Sequence, residues 1–172
     1  MGEVVKIPLI IGGREIWTEK TGVCTVPHLH SHVLAEYSVA GEKELRAAID
    51  AAMEAKAAWE SMPFEHRASI FLKAAALLTG PYRAVVNAAT MLCQSKTVHQ
   101  AEIDSACELA DFFRFNAYYA QQIYEEQPNH APGEWNRLEY RPLEGFVAAV
   151  TPFNFTSIGG NLPSAPALMG NV

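Results

Sequence analysis

The feature that most constrains this chain is a short run near its end, Gly145-Phe146-Val147-Ala148-Ala149-Val150, which carries no polar side chain. A strand solvated on one face alternates polar and apolar residues, whereas an unbroken apolar run suits a strand buried on both faces, as in parallel sheets. Such a strand cannot stand alone, because its parallel neighbour is reached only through a crossover segment. Thr151-Pro152-Phe153-Asn154-Phe155 turns the chain, and a helix is expected from Thr156 or Ser157, either of which can cap it. Pro163 and Pro166 should make that helix irregular. The sequence closes at Gly170-Asn171-Val172, where the second strand would begin. The expectation is the front portion of a longer protein, or a product that pairs with something else.

Upstream, residues 1–40 read as β-rich. Leu9-Ile10-Ile11, Gly12-Gly13 and Arg14-Glu15-Ile16-Trp17 form a hairpin signal, since tight hairpin turns demand positive φ. Residues 22–39 continue with β-branched residues around Pro27. Residues 41–126 read as a helical scaffold. Leu45, Ile49, Met53 and Trp59 mark one helix over Glu42–Ser61. A second, bracketed by Pro63 and Gly80-Pro81, should turn Ile70, Phe71, Ala74, Leu77 and Leu78 inward. A third is expected over Tyr82–Leu92, and a long aromatic-rich fourth over Gln100–Tyr124. Residues 127–144 form a linker and an alternating stretch, Arg137–Arg141, of the kind that adds as an edge strand to a partner. Residues 145–172 open a further unit.

Charge and cysteine usage exclude several function classes. Lys plus Arg number 13 against 19 Asp plus Glu, with no basic run, which argues against a nucleic-acid surface. No stretch approaches the ~18 apolar residues of a membrane span, and neither a secretory signal nor an Arg-rich presequence is visible. Cys24, Cys93 and Cys107 are too scattered for a disulfide framework or structural zinc, and Cys93 and Cys107 read as small buried hydrophobes. His28, His30 and His32 would share a strand face, but a solvated face explains them better than a metal. Asp104, Glu108 and Asp111, spaced i, i+4, i+7, read as a solvated stripe near Arg114, with a minority reading that sets Glu108 against a polar ligand cavity. No GxGxxG or P-loop occurs. Loops at the carboxyl ends of parallel strands are where open α/β sheets bind ligands. Asn154 in such a loop is either a neutral donor to a developing oxyanion or a residue that closes a turn.

The segment Pro142 to Phe155, followed by Pro163-Ser164-Ala165-Pro166-Ala167-Leu168-Met169-Gly170-Asn171, resembles the strand, loop and helix that open the nucleotide-binding domain of aldehyde dehydrogenases. Phe153 in Pro-Phe-Asn-Phe, with Lys96 to Asp104 and Asp111 to Asn116, is similar to the branch that oxidises glutamate γ-semialdehyde, the Δ1-pyrroline-5-carboxylate dehydrogenases. The likeness covers the whole chain and is specific from about residue 95 onward.

The resemblance implies an α/β fold: the N-terminal part of an aldehyde dehydrogenase, a helical segment plus the first strand, loop and helix of an open parallel nucleotide-binding sheet. It also implies a mechanism. A cysteine thiolate attacks the aldehyde, hydride passes to NAD, and a glutamate-activated water releases the acid. Asn154 would be the oxyanion donor. Thr151, Pro152 and Phe153 would lie against NAD, with Thr151 the closest contact, and Glu108 would sit near the substrate entrance. A homo-oligomer is implied, and a mitochondrial matrix location if the source is eukaryotic, otherwise the cytoplasm. The family's nucleophilic cysteine and base glutamate match no residue here, and neither does the lysine that follows the match to Asn171. The chain alone is therefore expected to be inactive. Alternatives are a non-catalytic truncated subunit that assembles with the full-length enzyme, and another substrate branch such as succinate semialdehyde.

Overall fold

Branched residues and a Gly-Gly turn organise the first part of the chain into two small sheets. A computed structural model describes residues 3–172, so residues 1 and 2 of the β-rich segment lie outside the described residues. β2 (Leu9–Ile11) and β3 (Arg14–Ile16) form the expected antiparallel hairpin. Gly12 (φ 56°) and Gly13 (φ 73°) supply its turn, both in the left-handed region that side chains resist. β4 (Thr21–Val26) turns at Pro27 and His28 into β5 (Leu29–Ser38), and β1 (Val5–Ile7) adds to β5 in parallel, giving the order β1-β5-β4.

The helical part follows the sequence periodicity in outline. α1 covers Glu42–Ser61, and its first turn is closed by the Glu44 carboxylate, which accepts from Gly41 N–H at 2.9 Å. α2 (Phe64–Thr79) and α3 (Arg83–Gln94) come next. α2 turns in Ala68, Ala75 and Leu78 together with Phe71, while Ile70 and Leu77 face solvent. The fourth helix is not continuous. α4 (Val98–Ala101) opens with a capping box, in which Thr97 Oγ1 accepts from Gln100 N–H (3.2 Å) and Gln100 Oε1 accepts from Thr97 N–H (2.9 Å). A π-helical turn, Glu102–Glu108, then widens the helix before α5 (Leu109–Glu125) resumes. Ser105, fully buried in that turn, donates back to the Ala101 carbonyl, a local bond that competes with regular α geometry.

α6 (Thr156–Leu168) is continuous despite Pro163 and Pro166. It lies in the groove between α2 and α5. The core there is built of small residues: Ala68, Ala117, Ala120 and Leu168 in one cluster, and Ala75, Leu78, Leu109 and Ala110 in another. Alanines let helix axes approach closely, and Gly160 does the same for α6: a Cβ there would lie 2.6 Å from Leu109 Cδ1.

Two expected strands do not form. The strands expected at 137–141 and 145–150 call for neighbours outside this chain; among the described residues they pair in no ladder, and Val147 N–H donates a single bond, to the Val172 carbonyl at 2.7 Å. A strand needs a neighbour along its length, and the apolar run meets none among the described residues, leaving Val150 exposed. Cys93 and Cys107 are exposed, against expectation: Cys93 lies beside Cys24 of β4 at the edge of an open groove, and Cys107 lines another.

Arg67 on α2 is 4% exposed and pairs with no carboxylate among the described residues. Its Nε donates to the Leu168 carbonyl (3.0 Å) at the C-terminal end of α6, and its other nitrogens donate to the Met62 carbonyl and to Tyr124 Oη (3.3 Å). A cation is stabilised there by the helix dipole and by otherwise unpaired carbonyls. Replacing Arg67 with Met should destabilise the protein by roughly 1.5–3 kcal/mol, the range for lost hydrogen bonds to a charged group. The urea midpoint would read this at constant m, and a change below about 0.5 kcal/mol would contradict it.

Candidate active-site loop

The loop Thr151–Phe155 leads into α6 with Thr151, Phe153 and Phe155 turned to solvent and Asn154 half-buried. α6 was expected to be capped by its own Thr156 or Ser157. Its N-cap is instead Phe155, which offers no side-chain acceptor. The acceptor comes from the π-helical turn: Asp104 Oδ2 accepts from Thr156 N–H (3.2 Å), and Asp104 Oδ1 from Ser157 Oγ–H (2.8 Å) and Ser157 N–H (3.5 Å). A carboxylate at a helix N-terminus satisfies orphan donors and the dipole at once.

Asp104 therefore does not belong to a solvated stripe. It is 5% exposed and pairs with Lys96, whose Nζ lies 2.7 Å from Asp104 Oδ2. Burial alone would push the Asp104 carboxyl up. Hydrogen bonds from Lys96, Ser157 and Thr156 N–H, with the Lys96 charge, outweigh it and hold the group below its ordinary value. Lys96 also donates to the Asn154 carbonyl (2.7 Å) and sits over the Phe155 ring, 4.3 Å from its centroid. Asn154 is thereby pinned through its backbone, while its side-chain amide has no hydrogen-bond partner among the described residues.

Glu108 is joined to the same group, since its Oε2 lies 2.7 Å from Ser157 Oγ. It lines an open groove of about 560 Å³ with Ile103, Cys107, Asp111, Phe112, Phe115, Asn116 and Tyr119, a lining with two carboxylates and no cation. Asn116 Nδ2 donates to Asn161 Oδ1 (2.8 Å) and ties that wall to α6. The fold thus brings Asn154 and Glu108 to one end of α6, linked through Lys96, Asp104 and Ser157. Thr151, Pro152 and Phe153 form the exposed approach to that end. Lys96 and Ser157 were not singled out as site residues. The signal for Lys96 was only its place one residue before a Thr-x-x-Gln cap, and Ser157 is an ordinary helix-start residue until Asp104 is set beside it. The histidines do not converge: His28 lies in the β4–β5 turn, 3.5 Å from Ser95 Oγ, and among the described residues no three His, Cys, Asp or Glu are placed to hold a metal.

The aldehyde dehydrogenase family model matches residues 17–172. The chain belongs to the aldehyde dehydrogenase family, and its α/β architecture is a part of that fold. It is 56% identical over 169 residues to the mitochondrial delta-1-pyrroline-5-carboxylate dehydrogenase of Emericella nidulans, covering 98% of this chain and 29% of that protein. It is 52% identical over 171 residues to the mitochondrial delta-1-pyrroline-5-carboxylate dehydrogenase of Homo sapiens, covering 99% and 30%. The crystal structure of the Delta-pyrroline-5-carboxylate dehydrogenase from Mycobacterium tuberculosis bound with NAD matches at TM-score 0.97 and 54% identity, over 99% of this chain and 32% of that one. The chain spans about three-tenths of the length of these relatives.

On the far side of the π-helical turn, Glu102 accepts from Arg83 and Asn87, and those hydrogen bonds hold its carboxyl at about 2, well below its ordinary 4.5. A carboxyl depressed by folding stabilises the native state fully above its unfolded value and loses that contribution as pH falls towards the folded one. The contact between α3 and the π-helical turn should therefore loosen between about pH 4.5 and pH 2. Carbon-detected NMR titration of Glu102 would read it. A midpoint near the ordinary glutamate value, or an unchanged acid profile in Glu102→Gln, would contradict the assignment.

Proposed function

We propose that this chain supplies the oxyanion donor, the cofactor-facing loop and a substrate-groove carboxylate for NAD-dependent oxidation of L-glutamate γ-semialdehyde, the open form of 1-pyrroline-5-carboxylate, to L-glutamate in proline catabolism. The nucleophilic cysteine and the base glutamate are assigned to the part of the relatives' length that this chain does not span. The observation that carries the reading is Asn154: its backbone is fixed by Lys96 at 2.7 Å and its amide is left free at a helix N-terminus. When a thiolate adds to the aldehyde carbon, charge grows on the oxygen, and a fixed neutral N–H donor stabilises that charge without reorganising or titrating.

The loop fits a flat dinucleotide. Thr151 presents an exposed hydroxyl, Phe153 is 93% exposed, and residues 151–155 include no carboxylate or imidazole to repel a phosphate or hold a metal. Thr151, Pro152 and Phe153 would lie against NAD, which when bound supplies the hydride acceptor. Glu108, oriented by Ser157, and Asp111 give the groove a negative lining that favours an ammonium-bearing amino-acid aldehyde over succinate semialdehyde, which has none. Self-association as a homo-oligomer fits the exposed Trp135 and Leu138 beside residues 137–141. In a eukaryotic source the matrix of the mitochondrion is the compartment this reading assigns, and otherwise the cytoplasm.

The test is NADH formation by a complete polypeptide carrying this sequence. Glutamate γ-semialdehyde should be preferred to succinate semialdehyde in kcat/KM. Asn154→Ala should lower kcat about 10²–10³-fold, equivalent to about 2.7–4 kcal/mol, with NAD affinity unchanged. Full turnover in that variant would remove the oxyanion role, and a reversed preference would remove the substrate.

A further inference from the structure

We infer that Lys96 and Asp104 are positioning residues for the Asn154 donor: a buried ion pair that latches the active-site loop to the start of α6. The inference rests on the oxyanion reading of Asn154.

The latch begins from a fixed base. Ser95 ends α3 in the left-handed region (φ 52°), a conformation usually left to glycine, and Thr97 starts the capping box of α4. Lys96 is held between these two constraints, so its side chain leaves from a defined point. Three sides of its ammonium are occupied: Asp104 Oδ2 and the Asn154 carbonyl each lie at 2.7 Å, and the Phe155 ring face covers the third. The side chains of Lys96 and Asp104 are 16% and 6% exposed. Asp104 passes the restraint on by accepting from Thr156 N–H and Ser157 Oγ–H. Asn154 is thus held at its own carbonyl by Lys96, and the chain two residues on is held by Asp104.

Charge reinforces the geometry. The ammonium also offsets the charge of Asp104, which caps the helix that the Asn154 loop leads into. A donor misplaced by about 1 Å costs on the order of 10²-fold in rate. The effect should therefore fall on the chemical step and spare cofactor binding.

The test uses a complete polypeptide carrying Lys96→Arg, Lys96→Met, or Lys96→Met with Asp104→Asn. Lys96→Met alone leaves a buried carboxylate unpaired and is at risk of not folding. The double variant removes both charges and keeps an acceptor for α6, so it should fold. We expect kcat to fall in a graded series, wild type above Lys96→Arg above the double variant, with the last down roughly 10- to 100-fold. KM for the aldehyde and Kd for NAD should stay within about threefold. Hydrogen–deuterium exchange over residues 154–157 should quicken in the double variant whether or not the wild type turns over, so the latch is tested separately from the enzymatic reading. Exchange and kcat both unchanged would overturn the latch. So would a loss carried equally by NAD affinity. If the double variant does not fold, a kcat for Lys96→Arg equal to that of the wild type overturns it.

Discussion

The buried pair of Lys96 and Asp104 is the interaction on which the rest of this structure depends. Two charges taken out of water are unfavourable unless their remaining hydrogen-bonding capacity is met. Here it is met by the 151–155 loop and α6 themselves, through the Asn154 carbonyl, the Thr156 N–H and the Ser157 hydroxyl. The same atoms that make the pair tolerable fix the segment that carries Asn154. Arg67 completes the arrangement at the other end of α6, where it donates to the Leu168 carbonyl. An anion at the N-terminus and a cation at the C-terminus match the polarity of the helix. A helix that stays continuous through two prolines is thereby held from outside rather than by its own propensity.

The π-helical turn serves this arrangement. It widens the helix where Asp104 and Glu108 both meet Ser157, so one hydroxyl lies 2.8 Å from one carboxylate oxygen and 2.7 Å from the other. Glu108 then reaches the groove on one side and α6 on the other. Close packing supports the geometry, because Gly160 against Leu109 and the alanine clusters leave α6 little room to shift.

Much of this was legible in the sequence. The Gly12-Gly13 hairpin, the bounds of α1 and the start of α6 follow from turn chemistry and helical spacing, which are local properties. For Asn154 the local sequence leaves a neutral donor and a turn-closing residue equally open, and the oxyanion role rests on the family resemblance. What escaped was decided by partners far along the chain. Asp104 looked solvated because its spacing with Glu108 and Asp111 describes an ordinary helix face, and nothing local announces that Lys96 folds back onto it. The break in the fourth helix has no compositional mark, since Ser105 is unremarkable until it is buried. Residues 145–150 carry the composition of a doubly buried strand, yet composition cannot supply the neighbours a ladder requires. Ile70 and Leu77 were assigned inward by their hydrophobicity, whereas the close approach of α2 and α5 selects the smaller Ala68 and Ala75.

The latch assigns Lys96 a role in the reaction that runs through the position of the Asn154 donor. A double-mutant cycle in kcat between Lys96→Arg and Asn154→Ala tests that most directly. If the claim holds, Lys96→Arg lowers kcat in the parent enzyme and has almost no effect once the Asn154 amide is gone. If the two losses instead multiply as independent factors, the ion pair supports the fold without positioning the donor.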